Sequence, residues 1–256
     1  FAPLRLNFRK TKGTVFAKSN KLKMVTHCRN GAQVYAQAIL NEYLAYRILN
    51  TLTENSFRVR LLRVTYVDNS KDKVVDTNYA FLIEHRDQLA KRVGKEVSRA
   101  ETTTVGALDG RETNISSIFQ YFIGNTDFSP IKGVPGEPCC HNYVLLKDGE
   151  DKMLSIPYDF DVTGIVDAPY AVPNPRFKLR NVRERLYRGR CANNEYLDST
   201  LQLFRDKRQA IHELVESVPG FSKKSIKKAS RYIDEFYATI DSPKRVERYL
   251  VGRCLR

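Results

Sequence analysis

The sequence predicts an α+β fold in two lobes: a small antiparallel-sheet lobe with one helix, then a mainly helical lobe. Three observations carry this. Apolar and polar residues alternate in short runs near the start of the chain, the period-two pattern of half-buried strands. One long helical pattern (35–52) follows those runs. The last third places apolar residues at helical offsets, broken by Pro219-Gly220, a helix stop. With 256 residues, 42% of them hydrophobic, the chain is long enough to bury one large core or two lobes.

The elements follow in order. Leu4-Arg5-Leu6-Asn7-Phe8 alternates, Lys12-Gly13 signals a turn, and Thr14-Val15-Phe16 resumes strand character until Asn20. Lys21-Leu22-Lys23-Met24-Val25 alternates again, with both lysines on one face and Leu22 and Met24 on the other. Three short strands joined by turns are expected to form a sheet. The helix of 35–52 repeats Ala38, Ala45, Ile48, Leu49 and Leu52, and carries Glu42. Residues 57–67 and 79–84 read as two more strands around a polar turn (69–76), the second ending at Glu84 before His85-Arg86-Asp87. Residues 88–99 are charged and read as helix or loop. Three threonines and two glycines in 101–111 place the lobe boundary between about Glu84 and Glu112, giving lobes of 1–100 and 101–256. From Asn114 the pattern is helical again, through Ile115, Ile118, Phe119 and Phe122.

The stretch 119–161 then organises the chain. A helix runs into Asn125-Thr126-Asp127, and a Gly/Pro-rich loop leads to His141-Asn142. A strand pair, 143–146 and 153–156, ends at Pro157-Tyr158-Asp159-Phe160-Asp161. Carboxylates and an amide at the ends of regular elements suit phosphoryl transfer. One carboxylate orients a hydroxyl nucleophile, and an amide with a second carboxylate holds divalent cations against phosphates. The plainer reading of each acidic residue alone is a turn or cap.

This ordered set, N-T-D, H-N and P-Y-D-F-D, resembles the catalytic segment of the atypical protein-kinase-like spore-coat kinase family (CotH type), and more distantly the HipA-like toxin kinases. The resemblance implies a bilobal protein-kinase-like fold. It makes Asp127 the catalytic base, and Asn142 and Asp159 the metal ligands, with Asp161 as a second acidic ligand. It implies ATP with Mg²⁺ or Mn²⁺, and a hydroxyl acceptor such as Ser or Thr of a protein. In the order of a kinase, Lys23 would contact the phosphates and pair with Glu42. Lys21 competes for that role. The strand end at Glu84 resembles the passage where backbone groups receive adenine. One departure stands out: the kinase base and Asn lie five apart in H-R-D-x-x-x-x-N, whereas Asp127 and Asn142 lie fifteen apart (142 − 127). The insert holds Pro130, Gly133, Pro135, Gly136 and Pro138, which suits a loop bulging out between fixed ends. Lys12-Gly13 stands where a glycine-rich loop would, with no G-x-G-x-x-G.

The remaining third reads as support. Residues 162–190 contain Pro169, Pro173 and Pro175 and the basic residues Arg176, Lys178, Arg180, Arg183, Arg185 and Arg188. Their position suits a substrate segment meeting an acidic acceptor, and a solvated face is the alternative. Tyr170 would stack on substrate or pack. Helices follow over 196–218, 222–240 and from Pro243 to about 251.

Composition bounds partners. A net charge of +14 and a pI near 9.6 attract anions, but no nucleic-acid-binding motif stands out, so nucleic acid is not the expected partner. No apolar run reaches membrane-spanning length, and a monomer is expected. Phe1-Ala2-Pro3 does not read as a signal peptide, and a mature chain would also lack one. The five cysteines form no C-x-x-C pair. Their order suits Cys191–Cys254, with Cys28 joined to Cys139 or Cys140. That pattern belongs to an oxidising compartment, secreted or periplasmic; five free thiols in the cytoplasm are the alternative. Three other functions remain open: an inactive kinase-like nucleotide- or protein-binding module, a metal-dependent phosphodiesterase using Asp127, His141, Asp159 and Asp161, and a basic anion-binding module.

Overall fold

A computed structural model describes residues 4–17, 21–133, 139–147 and 152–256. The architecture is α+β, as expected. Strands β1 (Leu4–Asn7), β2 (Lys21–Thr26), β3 (Val59–Asp68) and β4 (Lys73–Ile83) form an antiparallel sheet in the order β1-β2-β4-β3. Helix α1 (Gln33–Leu52) connects β2 to β3. A short helix α2 (Arg86–Arg92) leads to a second antiparallel sheet of β5 (Glu96–Val97), β6 (Tyr143–Lys147) and β7 (Leu154–Pro157). Helix α3 (Gly110–Ile123) lies between β5 and β6. Helices α4 (Leu197–Asp206), α5 (Arg208–Ser217), α6 (Lys223–Ile240) and α7 (Pro243–Tyr249) complete the chain. Among the described residues no helix is long and apolar enough to cross a membrane.

The alternation in β2 works as the sequence suggests. Leu22 and Met24 are buried against Ala80 and Leu82 in a small cluster that Leu6, Phe8 and Phe16 cover. The opposite face packs on α1, where Phe81 meets Tyr43 and Tyr46 at ring distances of 6.1 and 5.7 Å. Lys23 stands opposite Ile83 in the ladder, so it shares the α1 face. The strand expected at Thr14-Val15-Phe16 does not form. Thr14 Oγ1 donates to the Thr11 carbonyl and accepts from Phe16 N–H, and this local bonding competes with a ladder. Asn20 lies outside the described residues.

Helix α1 is buried on nearly every side, from Ala36 to Leu52, as a helix does when packed between layers. It contacts β3, β4, α3 and α5. One continuous core therefore runs from the first sheet through α1 and α3 into α4, α5 and α6, with Leu40, Leu44, Ile48, Phe119, Phe122, Phe204 and Phe236 at its centre. Helix α3 starts four residues earlier than its apolar pattern does, because the Asp109 side chain caps it by accepting from Glu112 N–H at 2.8 Å. It stops at Gly124, which adopts φ +68° and where a Cβ would run into Tyr232. The stripe of 196–218 is two helices, not one.

Cys191 and Cys254 form the expected disulfide, tying the start of α4 to the C-terminal segment. The other expected bridge is corrected: Cys139 and Cys140 are bonded to each other, and Cys28 is a free, exposed thiol. Cys28 follows β2 on the first sheet, whereas Cys139 is anchored beside Glu101 by its N–H at 3.0 Å.

The Cys191–Cys254 bridge spans a sequence separation of 63. Closing a loop of that size in the unfolded chain corresponds to about 4 kcal/mol. Cys191→Ser with Cys254→Ser is expected to lower the melting temperature by on the order of 10 °C, read by circular dichroism. An unchanged melting temperature would mean that the bridge does not constrain the unfolded chain.

Candidate functional site

The site is assembled on α1, on the turn after α3 and on the two ends of the β6–β7 pair. Glu42 and Tyr46 lie four residues apart on α1 and so share a face. Between them docks the segment after β7. Phe160 is fully buried, 4.5 Å from the Tyr46 ring and 5.3 Å from the Phe119 ring. Its N–H donates to the Glu42 carboxylate. The N–H of Asp159 donates to Tyr46 Oη at 2.9 Å. Asp159 adopts φ +64°, a left-handed conformation that Asp tolerates better than most residues. This turn leaves Asp159 partly exposed, with its Oδ1 3.9 Å from Lys23 Nζ.

Lys23, Glu42, Asp159 and Asp161 thus occupy one locality. Burial pushes Glu42 well above the ordinary carboxylate range, and the charges of Asp159 and Asp161 add to it, while Lys23 and the Phe160 N–H pull the other way. Asp161 is raised by burial and then by Asp159, against the Tyr170 hydrogen bond and Lys23. The Lys23–Glu42 pairing takes a different form from that expected. Among the described ion pairs, Lys23 bonds Asp159, and it reaches Glu42 only through the longer-range field.

Asp127 and Asn142 meet despite their spacing. Ser129 and His141 form an antiparallel bridge, with Ser129 N–H donating to the His141 carbonyl at 3.0 Å. This closes the base of the insert, so its two ends lie side by side. Asn142 Nδ2 donates to the Asp127 carbonyl at 2.6 Å and to Asp127 Oδ2 at 3.2 Å. His141 Nε2 lies 2.8 Å from Asp127 Oδ1. The Asn125 side chain accepts from Asp127 N–H at 2.8 Å. Asn142, at φ +56°, receives the Tyr158 N–H on its carbonyl at 3.0 Å, which sets it beside the Tyr158-Asp159 turn. Tyr143, the next residue, is locked into α3 by Ser116 at 2.6 Å and Gln120 at 3.3 Å. Pro135, Gly136 and Pro138 of the insert lie outside the described residues.

Three residues of the site were not evident from the motifs. Tyr46 was findable, since it lies four residues beyond Glu42. Tyr170 donates to Asp161 Oδ2 at 3.1 Å and stacks on Tyr35. Arg188 donates to the carbonyls of Thr126 and Phe128, at 2.9 and 2.8 Å, and so clamps both sides of Asp127.

Other expectations shift. Arg188 is structural rather than free for substrate, and so is Arg185, which donates to the Phe122 and Tyr232 carbonyls. Arg183 lies over the Tyr232 ring and Arg180 pairs with Glu184. Arg176 and Lys178 stay exposed. Lys21 is exposed opposite Asn7, further from Asp159 along β2 than Lys23. The Glu84 carboxylate is held by Arg92, at 3.0 and 2.8 Å, and by Arg58 N–H, which leaves its main chain as the route to any ligand.

A divalent cation fits the donor chemistry in one way. Among the described residues no three His, Cys, Asp or Glu side chains converge to enclose a metal. Mg²⁺ commonly uses one or two carboxylates and completes its shell with water and substrate phosphates. Asp159 and Asp161 offer carboxylates of that kind, and Asn142 lies beside the same turn. No protein-family model matches this sequence, and no curated protein matches it significantly.

The raised Glu42 has a testable sign. As pH rises past the ordinary glutamate value of about 4.3, the unfolded chain ionises Glu42 before the folded chain does. Stability from this group is therefore present at low pH and is lost as pH climbs through the raised folded value. Glu42→Gln is expected to melt a few degrees above the parent at pH 7–8, the gap closing near pH 4, in melts across that range. A variant less stable than the parent at pH 8 would show an ionised, ion-paired Glu42.

Proposed function

We propose that the protein is an ATP-dependent phosphotransferase of atypical kinase type, passing the γ-phosphoryl group to a hydroxyl acceptor, with Ser or Thr of a protein as the acceptor class. The observation that carries this reading is the joining of the two halves: Asp127 held by Asn142, and Asn142 bonded to the turn that presents Asp159 to Lys23. The likeness of these motifs to the spore-coat kinase family supports it. The lobes 1–100 and 101–256 would flank the nucleotide.

In this mechanism Lys23 neutralises phosphate oxygens. Asp159 and Asp161, with Asn142 beside them, would hold Mg²⁺ or Mn²⁺, which would supply charge stabilisation for the transferring group when bound. Asp127 accepts a hydrogen bond from the acceptor hydroxyl and orients its oxygen for in-line attack. His141 and Asn142 fix the carboxylate, and Arg188 fixes the backbone that carries it. Glu42 positions Asp159 and Asp161 through the Phe160 N–H. The rate would come from positioning and electrostatics. The phosphodiesterase alternative is less well supported, because His141 is spent on Asp127.

Thermal-shift titration with ATP plus Mg²⁺ or Mn²⁺ tests the reading. Parent protein is expected to gain several degrees at saturating nucleotide, and Asp159→Ala to lose the gain. Asp127→Asn should retain the shift yet lower transfer from labelled ATP to protein acceptors by at least 100-fold. No shift with any nucleotide, in folded protein, would overturn both the kinase and the nucleotide-binding readings. A shift without transfer in the parent would leave the inactive-module reading.

A further inference from the structure

A cavity of mixed lining lies against α1, the helix that carries Glu42, with Val34, Ala38 and Val166 on its apolar wall. It has a volume of about 280 Å³ and is lined by Asn41, Asp167, Ser222, Lys224, Ser225 and Lys228. Two independent features of its wall point to an anion.

The first is the start of α6. This helix of 18 residues has no acidic residue in its first turn; Lys223 and Lys224 stand there instead. The positive end of a helix favours carboxylates or bound anions, and cations there are unfavourable. Ser222 caps the Ser225 N–H at 3.0 Å, and the Lys223 and Lys224 N–H groups have no partner among the described hydrogen bonds. Lys227 and Lys228 follow one turn on. The local carboxylate, Asp167, is already shared between Lys228 at 2.5 Å and Arg183 at 3.7 Å.

The second is Asn41. It is only 8% exposed and lines the cavity, yet its side chain has no hydrogen-bond partner among the described residues. A ligand oxygen in the cavity would accept from the N–H groups of this amide. Orphan N–H groups at a helix start, flanking lysines and an amide donor are the means by which proteins hold phosphate.

We propose that this cavity binds a phosphate-sized dianion, either free phosphate or the phosphoryl group of a modified side chain. Because Asn41 and Lys224 belong to α1 and α6, the bound group fastens α1 to the helical lobe beside Glu42. The site is separate from the ATP cleft, so Asp159→Ala leaves it intact.

Isothermal titration at constant ionic strength tests it, with inorganic phosphate in one arm and a short phosphoserine peptide in the other. Saturable one-to-one binding in either arm is expected, weakened at least fivefold by Asn41→Leu and by Lys224→Glu. The control Lys244→Ala, an exposed lysine on α7, should leave the affinity unchanged. Phosphate binding alone identifies free phosphate as the source, and peptide binding alone a phosphorylated side chain. Lys224→Glu changes an exposed residue, so it reads out even if Asn41→Leu misfolds. Saturation in neither arm, or affinity unmoved by Lys224→Glu in protein with native circular dichroism, would overturn the proposal.

Discussion

The burial of Phe160 is the constraint on which the cleft depends. Its ring fills the space between Tyr46 and Phe119, and burying such a side chain contributes roughly 2–3 kcal/mol. With the ring fixed inward, the residues on either side are forced toward the cleft. The Phe160 N–H to Glu42 and the Asp159 N–H to Tyr46 Oη then set the rotation of that segment. A helix and a turn from opposite halves of the sequence are joined by two hydrogen bonds and a ring. The acidic residues are positioned by apolar packing, not by attraction for one another, since their mutual field is repulsive.

That repulsion is informative. The chain carries a net charge of +14, yet three carboxylates, Glu42, Asp159 and Asp161, share a locality with one ammonium, Lys23. Two features ease the conflict: Glu42 is buried with its proton favoured, and Asp161 accepts from Tyr170. Neither removes it. The net positive charge of the chain as a whole gives a field that attracts anions.

The parts of the fold legible in the sequence are those set by local pattern. Alternation separated Leu22 and Met24 from Lys23 across the strand, and the helical repeat found α1 and α3. Of the residues the ordered motifs named, Asn142 bonds Asp127 and receives the Tyr158 N–H beside Asp159. What stayed hidden was decided by long-range partners. Arg185 and Arg188 look like surface charges in a proline-rich stretch, and nothing nearby signals that their partners are carbonyls of 122, 126, 128 and 232. The loss of a strand at Thr14 was settled by one hydroxyl competing with the ladder. Cysteine pairing depended on which strand end each thiol reached, which spacing does not encode.

The insert between Asp127 and Asn142 leaves the two residues in contact. Fourteen residues intervene here, against four in the ordinary kinase motif. Loop closure grows only with the logarithm of length, so this expansion costs about 1 kcal/mol. The antiparallel bridge of Ser129 with His141 closes the loop at its base, and the two bonds from Asn142 to Asp127 hold the ends together.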